Sequence, residues 1–502
     1  MPQLDAHDAA FLYSDTTHSN ANVSLIHIYD QSTAPGGKVR FKTILAHIES
    51  RLHRSPVFRR KLQRVPLELD FPYWIDDPNF DLEYHVRHIA LPKPGDWRQF
   101  CIQASRIHAR PLDLNRPLWE IYVIEGLDSF LDLPEGSFAL LTKVHHAAID
   151  VEHGAEIAML LHDAVAGPLP AEPPVPWFPA DGPGKISMIC RGVVNTVTSP
   201  LRLAGPLGRA LRRVAPAALS LAGDMIRHPD RLPVTRFNSA VSPHRVFETR
   251  RFTLEEFKSI RRLVDGATVN DAVLAVCGGA LRRYLQAQAE LPASELLAIA
   301  PIYIRDADAE PGSPPEVSWL HVGLGTDIED PVRRLRHVRR QTRSSDKVAR
   351  AIGARELTDV GRHAPAATLA VTSKMLGRVT LGLGRHAPLA NCTVTNVPGP
   401  SVPLYLCGAR MTYFSAIMPI YDGMGLVFAV TSYDGRIVIS PTSCRELVPD
   451  PEDFAQCLRD SFQEYLAAAR RPTKAAKGKG AVRRPRARAS AAGKAAPTRL
   501  AA

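Results

Sequence analysis

Two adjacent histidines and a carboxylate, His145-His146-Ala147-Ala148-Ile149-Asp150, close one apolar run and precede a helical pattern. An imidazole is well suited to take a proton near neutral pH, provided its tautomer and ring position are fixed. Upstream, Phe138 to Val144 has the length and apolar content of a largely buried strand. Downstream, Ile157, Leu160, Leu161 and Ala164 recur at helical spacing. The HHxxxD group therefore sits where strand, turn and helix meet, so its backbone can be fixed while a ring faces a cavity. Asp150 has two readings at this point: it pairs with an arginine to organise the turn, or it caps the next helix for about 1 kcal/mol. Taken alone, a histidine pair is more often structural than catalytic. A metal site is disfavoured, because adjacent histidines on a strand point to opposite faces and HExxH is absent.

The elements that must position this group belong to a chain of 502 residues, too long for one ordinary core. Hydrophobic residues make up 45% and charged residues 23%, as in a globular protein. The formal charge of +11 is local: Arg470 onward holds seven arginines and four lysines with no acid, so the body is balanced. Seven scattered cysteines with no CxxC pair suggest neither a disulfide framework nor zinc. The first thirty residues lack a signal peptide's basic start and apolar core, and no run approaches the roughly 20 apolar residues of a membrane span. The expectation is a cytoplasmic protein, soluble or peripheral at a membrane.

Val23–Tyr29, Ile121–Ile124 and Phe138–Val144 read as strands and Phe41–Leu52 as a helix, whereas Asp70–Trp74 reads as an irregular aromatic segment. Seven prolines between Gly167 and Gly184 predict a stiff linker. From Ile186 to Leu232 apolar residues alternate with seven arginines, which fits either a helix on anionic lipid or one packed on the body. The second half predicts helices over Asn270–Leu285 and after Asp330-Pro331. It predicts strands over Leu297–Ile304, Asn391–Asn396, Gly425–Ser432 and Arg436–Ser440. The expected division is residues 1–166 and 236–469 as two α/β domains, 167–235 as a linker with a basic amphipathic segment, and 470–502 as a disordered basic tail.

Further motifs run in a fixed order: Leu4-Asp5 to Phe11-Leu12, Pro72-Tyr73-Trp74 to His85-Val86-Arg87, and Arg116-Pro117-Leu118-Trp119-Glu120. After HHxxxD come Asn270-Asp271, Pro301-Ile302-Tyr303-Ile304-Arg305, Asn396-Val397-Pro398-Gly399-Pro400 and Ser432-Tyr433-Asp434-Gly435. In this order the chain resembles the bacterial wax ester synthase/diacylglycerol acyltransferase family over nearly all of residues 1–465. HHxxxD alone is shared with peptide-synthesising condensation domains; the ordered set is specific. The resemblance implies an α/β, two-domain, CoA-dependent acyltransferase sandwich like chloramphenicol acetyltransferase, with a channel between the domains. It implies His146 as the general base, with His145 and Asp150 beside it and Asn270, Asp271 and Arg305 in support. The implied partners are fatty acyl-CoA as co-substrate, diacylglycerol or a long-chain alcohol as acceptor, and a membrane or lipid-droplet surface. No other cofactor, no metal and no specific nucleic acid are expected.

Two departures stand against that family pattern. Val151 occupies the glycine position after Asp150, and a β-branched residue resists the positive φ and close ligand approach that glycine permits. The Gly-Asn pair before the Asp-Pro helix is replaced around Ser318-Trp319-Leu320. Val151 leaves one rival, a lipid-surface homologue with weakened turnover, and the shared HHxxxD leaves another, a condensation-type amide or ester former.

Overall fold

The computed structural model describes residues 2–129, 133–134, 136–149, 160–167, 176–195, 197–198, 232–304, 316–352 and 388–470. In the first half lie α1 (Ala6–Ser14), β1 (Asn22–Asp30), α2 (Phe41–Arg51), β2 (Arg60–Gln63), β3 (Tyr73–Asp76), β4 (Val86–Ala90), α3 (Trp97–Ala109), β5 (Trp119–Glu125) and β6 (Phe138–His145). The second half begins with β7 (Arg245–Phe247), β8 (Arg250–Thr253), α4 (Leu254–Arg261), α5 (Val269–Ala287), β9 (Leu297–Ile304), β10 (Glu316–Gly323) and α6 (Pro331–Ile352). It ends with β11 (Cys392–Pro398), β12 (Tyr405–Leu406), β13 (Ala409–Ile417), β14 (Val427–Tyr433), β15 (Arg436–Cys444) and α7 (Pro451–Arg470).

Two mixed sheets carry the fold. The first has the order β12-β13-β1-β6-β5-β4, and the second β10-β9-β11-β14-β15-β7 with β8 also on β15. The central strands lack a polar-apolar alternation because both faces are covered: β6 is buried at every position, from Phe138 to His145. On one face of the first sheet, Ile26, Ile28, Leu141 and Tyr122 pack on Phe100, Ala104 and Ile107 of α3. On the other, Leu25, Tyr29, Leu140 and Ile121 meet Ile44 and Ile48 of α2. In the second half α5, α6 and α7 cover the sheet, with Leu274, Leu281, Leu335 and Phe454 in one core. Gly279 lets α5 touch α7: a Cβ there would lie 2.2 Å from the Ser461 hydroxyl oxygen.

The chain does not keep each sheet to its own half. β12 and β13 come from the second half yet extend the first sheet, with β13 antiparallel to β1 through pairs such as Leu25–Ala416 and His27–Phe414. Sequence reading assigns residues 236–469 to one unit and misses β13. Its apolar alternation is broken by neighbours buried on both faces. Conversely, Phe247 and Val438 of the second sheet pack into the α3 core. The aromatic segment expected to be irregular ends in β3, which pairs with β2 in a two-stranded ribbon. Residues 185–195 are helical, while much of the proline-rich and basic stretch lies outside the described residues.

Candidate active site

The two histidines stand at the end of β6, where the strand enters a short 3-10 turn, His146–Ala148. His145 is buried, and its ring closes a local circuit. Its Nδ1 accepts the Ala147 N–H at 3.1 Å, which leaves the proton on Nε2. That Nε2–H faces the Asp15 carboxylate at 3.1 Å, and the other Asp15 oxygen accepts the Ala21 N–H at 2.8 Å. The Ala21 carbonyl in turn accepts the His146 N–H at 2.8 Å, while Leu118 of the PLW segment accepts the His145 N–H at 3.0 Å. Backbone, tautomer and turn are thus fixed together around one acidic side chain.

His146 differs from its neighbour in being partly exposed. Its ring lies against Phe11 of α1, with centroids 3.8 Å apart and planes 19° from parallel, and its Nδ1 is buried. One face of the imidazole is therefore clamped while the residue keeps contact with solvent. A proton-transfer histidine needs a held ring and a nitrogen that substrate can reach. Asp150, Val151 and Arg305 lie outside the described residues.

Beneath the histidines runs a buried polar network. Lys143, two residues back on the same face of β6, donates to the Ile107 and Arg110 carbonyls at the end of α3. It pairs with Glu120 at 2.8 Å, and Glu120 also meets Arg87 at 3.3 Å and the Tyr122 hydroxyl at 3.1 Å. Burial pulls the Lys143 ammonium below its ordinary pKa, with Glu120 opposing that shift. Nearby, His108 shares a hydrogen bond of 2.9 Å with Ser24. Burial first, then Arg245 and Lys143, pushes His108 down to about 3.

The other sequence-predicted residues serve the second half. Asp271 caps α5 by accepting the Thr268 N–H at 2.7 Å. It also accepts the Thr342 hydroxyl at 2.7 Å and lies 3.5 Å from Arg339, so it ties α5 to α6. Asn270 is more exposed and accepts from Asn396 of the NVPGP segment at 3.1 Å. Gly399 of that segment packs where a Cβ would lie 2.6 Å from the Ser432 carbonyl. Tyr433 then accepts the Leu404 N–H and donates to the Met411 carbonyl, which holds β13. Asn270 thus meets the NVPGP segment, and Tyr433 ties the second sheet to β13 of the first.

A family model described as the wax ester synthase/diacylglycerol acyltransferase catalytic domain matches residues 4–273. A second, the C-terminal domain of the same family, matches residues 316–465. The chain belongs to the wax ester synthase/diacylglycerol acyltransferase family. A Mycobacterium tuberculosis protein provisionally named a diacylglycerol O-acyltransferase is 31% identical over 469 residues, 93% of this chain and 90% of that one. The O-acyltransferase WSD of Acinetobacter baylyi is 28% identical, covering 82% of this chain and 85% of its own. Among solved structures, the family enzyme of Marinobacter aquaeolei VT8 aligns with a TM-score of 0.67 at 24% identity, covering 93% of this chain and 100% of the other. A trichothecene 15-O-acetyltransferase from Fusarium sporotrichioides aligns with a TM-score of 0.59 at 10% identity, covering 93% and 94%. The fold is thus the two-domain acyltransferase sandwich expected from the motif order, and the family's catalytic domain holds the histidine turn.

Sequence reading missed Asp15 and Phe11 as parts of this site. Phe11 stood in the family-like opening, and Asp15 begins a polar run, Asp15-Thr16-Thr17-His18-Ser19-Asn20, that interrupts apolar neighbours. A carboxylate just after a helix and just before a buried strand was the available signal. Its partner, 130 residues on, was not legible.

Proposed function

We propose that this protein transfers a fatty acyl group from acyl-CoA to the hydroxyl of diacylglycerol or a long-chain alcohol, with His146 as general base. The observation that carries the reading is the His146 ring, clamped on Phe11 and set by the Asp15–His145–Ala147 circuit while staying partly exposed. In this reaction the imidazole takes the acceptor's hydroxyl proton as the oxygen attacks the thioester carbonyl. The tetrahedral intermediate collapses, the C–S bond breaks, and the thiolate leaves with the proton returned by the imidazolium. The thioester is already activated, so alignment and deprotonation are the main tasks, and no acyl-enzyme is needed. The mycobacterial relative's name supports diacylglycerol as acceptor, and the family description supports wax ester synthesis beside it.

Such acceptors reside in lipid, and the protein is read as peripheral at a membrane or lipid-inclusion surface. Among the described residues no helix is long and apolar enough to cross a membrane. The helical stretch beginning at residue 185 instead exposes Ile186, Val193, Val194 and Val197, apolar side chains at helical spacing. The test uses purified protein with palmitoyl-CoA and either dioleoylglycerol or hexadecanol. His146→Ala is expected to lower the rate by about 10²–10⁴. Equal turnover by both proteins removes His146 from the role, and no ester with either acceptor rejects the reading.

A further inference from the structure

α6 carries eight Arg and Lys residues against one acid, and it sorts them by face. Leu335, Val338 and Thr342 face the core together with the buried Arg334. Every inward cation on the described part has a partner. Arg334 donates to the Ile328 and Glu329 carbonyls, His337 meets Glu295 at 2.8 Å, and Arg339 meets Asp271 at 3.5 Å. The exposed side holds Arg333, Arg336, Arg340 and Arg343, spaced i, i+3, i+7 and i+10. At 100° per residue they fall within about an 80° arc, and they run for roughly 15 Å along the helix. No ion pair reaches any of these four guanidinium groups from the described residues.

We propose that this arginine face of α6 is where the protein lies on an anionic lipid bilayer. The inference rests on the acceptor being a membrane lipid, and it adds a cationic face to the exposed apolar row of the helix from residue 185. A straight helix presents its arginines as a row and forms no pocket, which suits many phosphates spread over a plane. Each guanidinium can grip a headgroup phosphate with two parallel N–H bonds. The charge is local, because the body outside the tail is balanced overall. Single-stranded nucleic acid is the poorer match: stacking on bases needs aromatic side chains, and α6 has none.

The experiment uses the full chain. Arg336→Gln/Arg340→Gln/Arg343→Gln is compared with the parent and with a charge-matched control on the first-sheet side, Lys93→Gln/Arg98→Gln/Arg106→Gln. Co-sedimentation with phosphatidylcholine vesicles, with and without phosphatidylglycerol, reads binding. Turnover of palmitoyl-CoA with hexanol, which needs no bilayer, reads folding and chemistry on the same samples. At about fivefold per basic residue, the α6 variant should lose roughly 100-fold in partition onto the anionic vesicles, and the control far less. Hexanol turnover should stay at the parent's level. An equal loss in both variants, or none in the α6 variant, overturns the assignment. So does a parent that ignores anionic vesicles yet binds single-stranded RNA through α6. If no protein turns over hexanol or any other acceptor, the acyl-transfer reading fails while the vesicle result still decides the docking face.

Discussion

Replacing Asp15 with asparagine tests whether the buried circuit, and not only the HHxxxD residues, sets up the chemistry. The carboxylate accepts two N–H groups, from Ala21 at 2.8 Å and from His145 at 3.1 Å. Asparagine keeps an oxygen for Ala21 but turns an amide N–H toward the Nε2–H of His145. That ring cannot change tautomer without giving up the Ala147 N–H. One charge-assisted bond is lost and two donors face each other, a cost of about 2–3 kcal/mol. The His146 N–H hangs on the Ala21 carbonyl in the same circuit, so the His146 ring shifts with it. A displacement of order 1 Å lowers the rate about 10²-fold. Denaturant unfolding measures the first quantity, and palmitoyl-CoA turnover at saturating acceptor, well below the unfolding transition, measures the second. The expected pattern is a kcat lowered about 10²-fold with KM for acyl-CoA little changed. A variant that unfolds more easily yet keeps the parent's kcat would show that Asp15 supports the fold alone, and the circuit would lose its place in the mechanism.

His108 predicts acid sensitivity. With its folded pKa near 3 and an unfolded value near 6.5, only the unfolded chain takes up a proton between those limits. The neutral ring's contribution is therefore complete above about pH 6.5 and is lost as pH falls toward 3, at about 1.4 kcal/mol per unit. His108→Gln should lose about 2 kcal/mol less than the parent between pH 6.5 and 5 by denaturant titration; equal losses contradict the assignment. Arg51, buried on α2, pairs with Asp163 and donates to the Leu160 carbonyl, so it holds the chain that follows HHxxxD. Arg51→Ala should destabilise the protein by about 3–5 kcal/mol in the same assay, because it leaves a buried carboxylate without its cation. Val151→Gly should raise turnover if the valine narrows the passage, and an unchanged rate argues against the weakened-homologue reading.

What could be read from the sequence was what neighbours in the chain decide. Phe138–Val144 was legible as a buried strand, Leu297–Ile304 as a strand and Asn270–Leu285 as a helix, because length and side-chain period are local properties. The histidine turn was legible for the same reason, and the order of short motifs carried the family. What tertiary structure alone decided was which distant segments meet. Asp15 reaches His145 across 130 residues, and β13 pairs with β1 across nearly the whole chain. Neither leaves a mark in any window of sequence, since a carboxylate or an apolar strand has many possible partners until packing selects one. Exposure is equally non-local: the helix after Asp330-Pro331 is evidently charged, but only its seating on α5 and α7 separates paired inward cations from the outward arginine row. The sequence thus determined the elements and the reactive residue types. The fold determined which side of each element is held and which is left open to act.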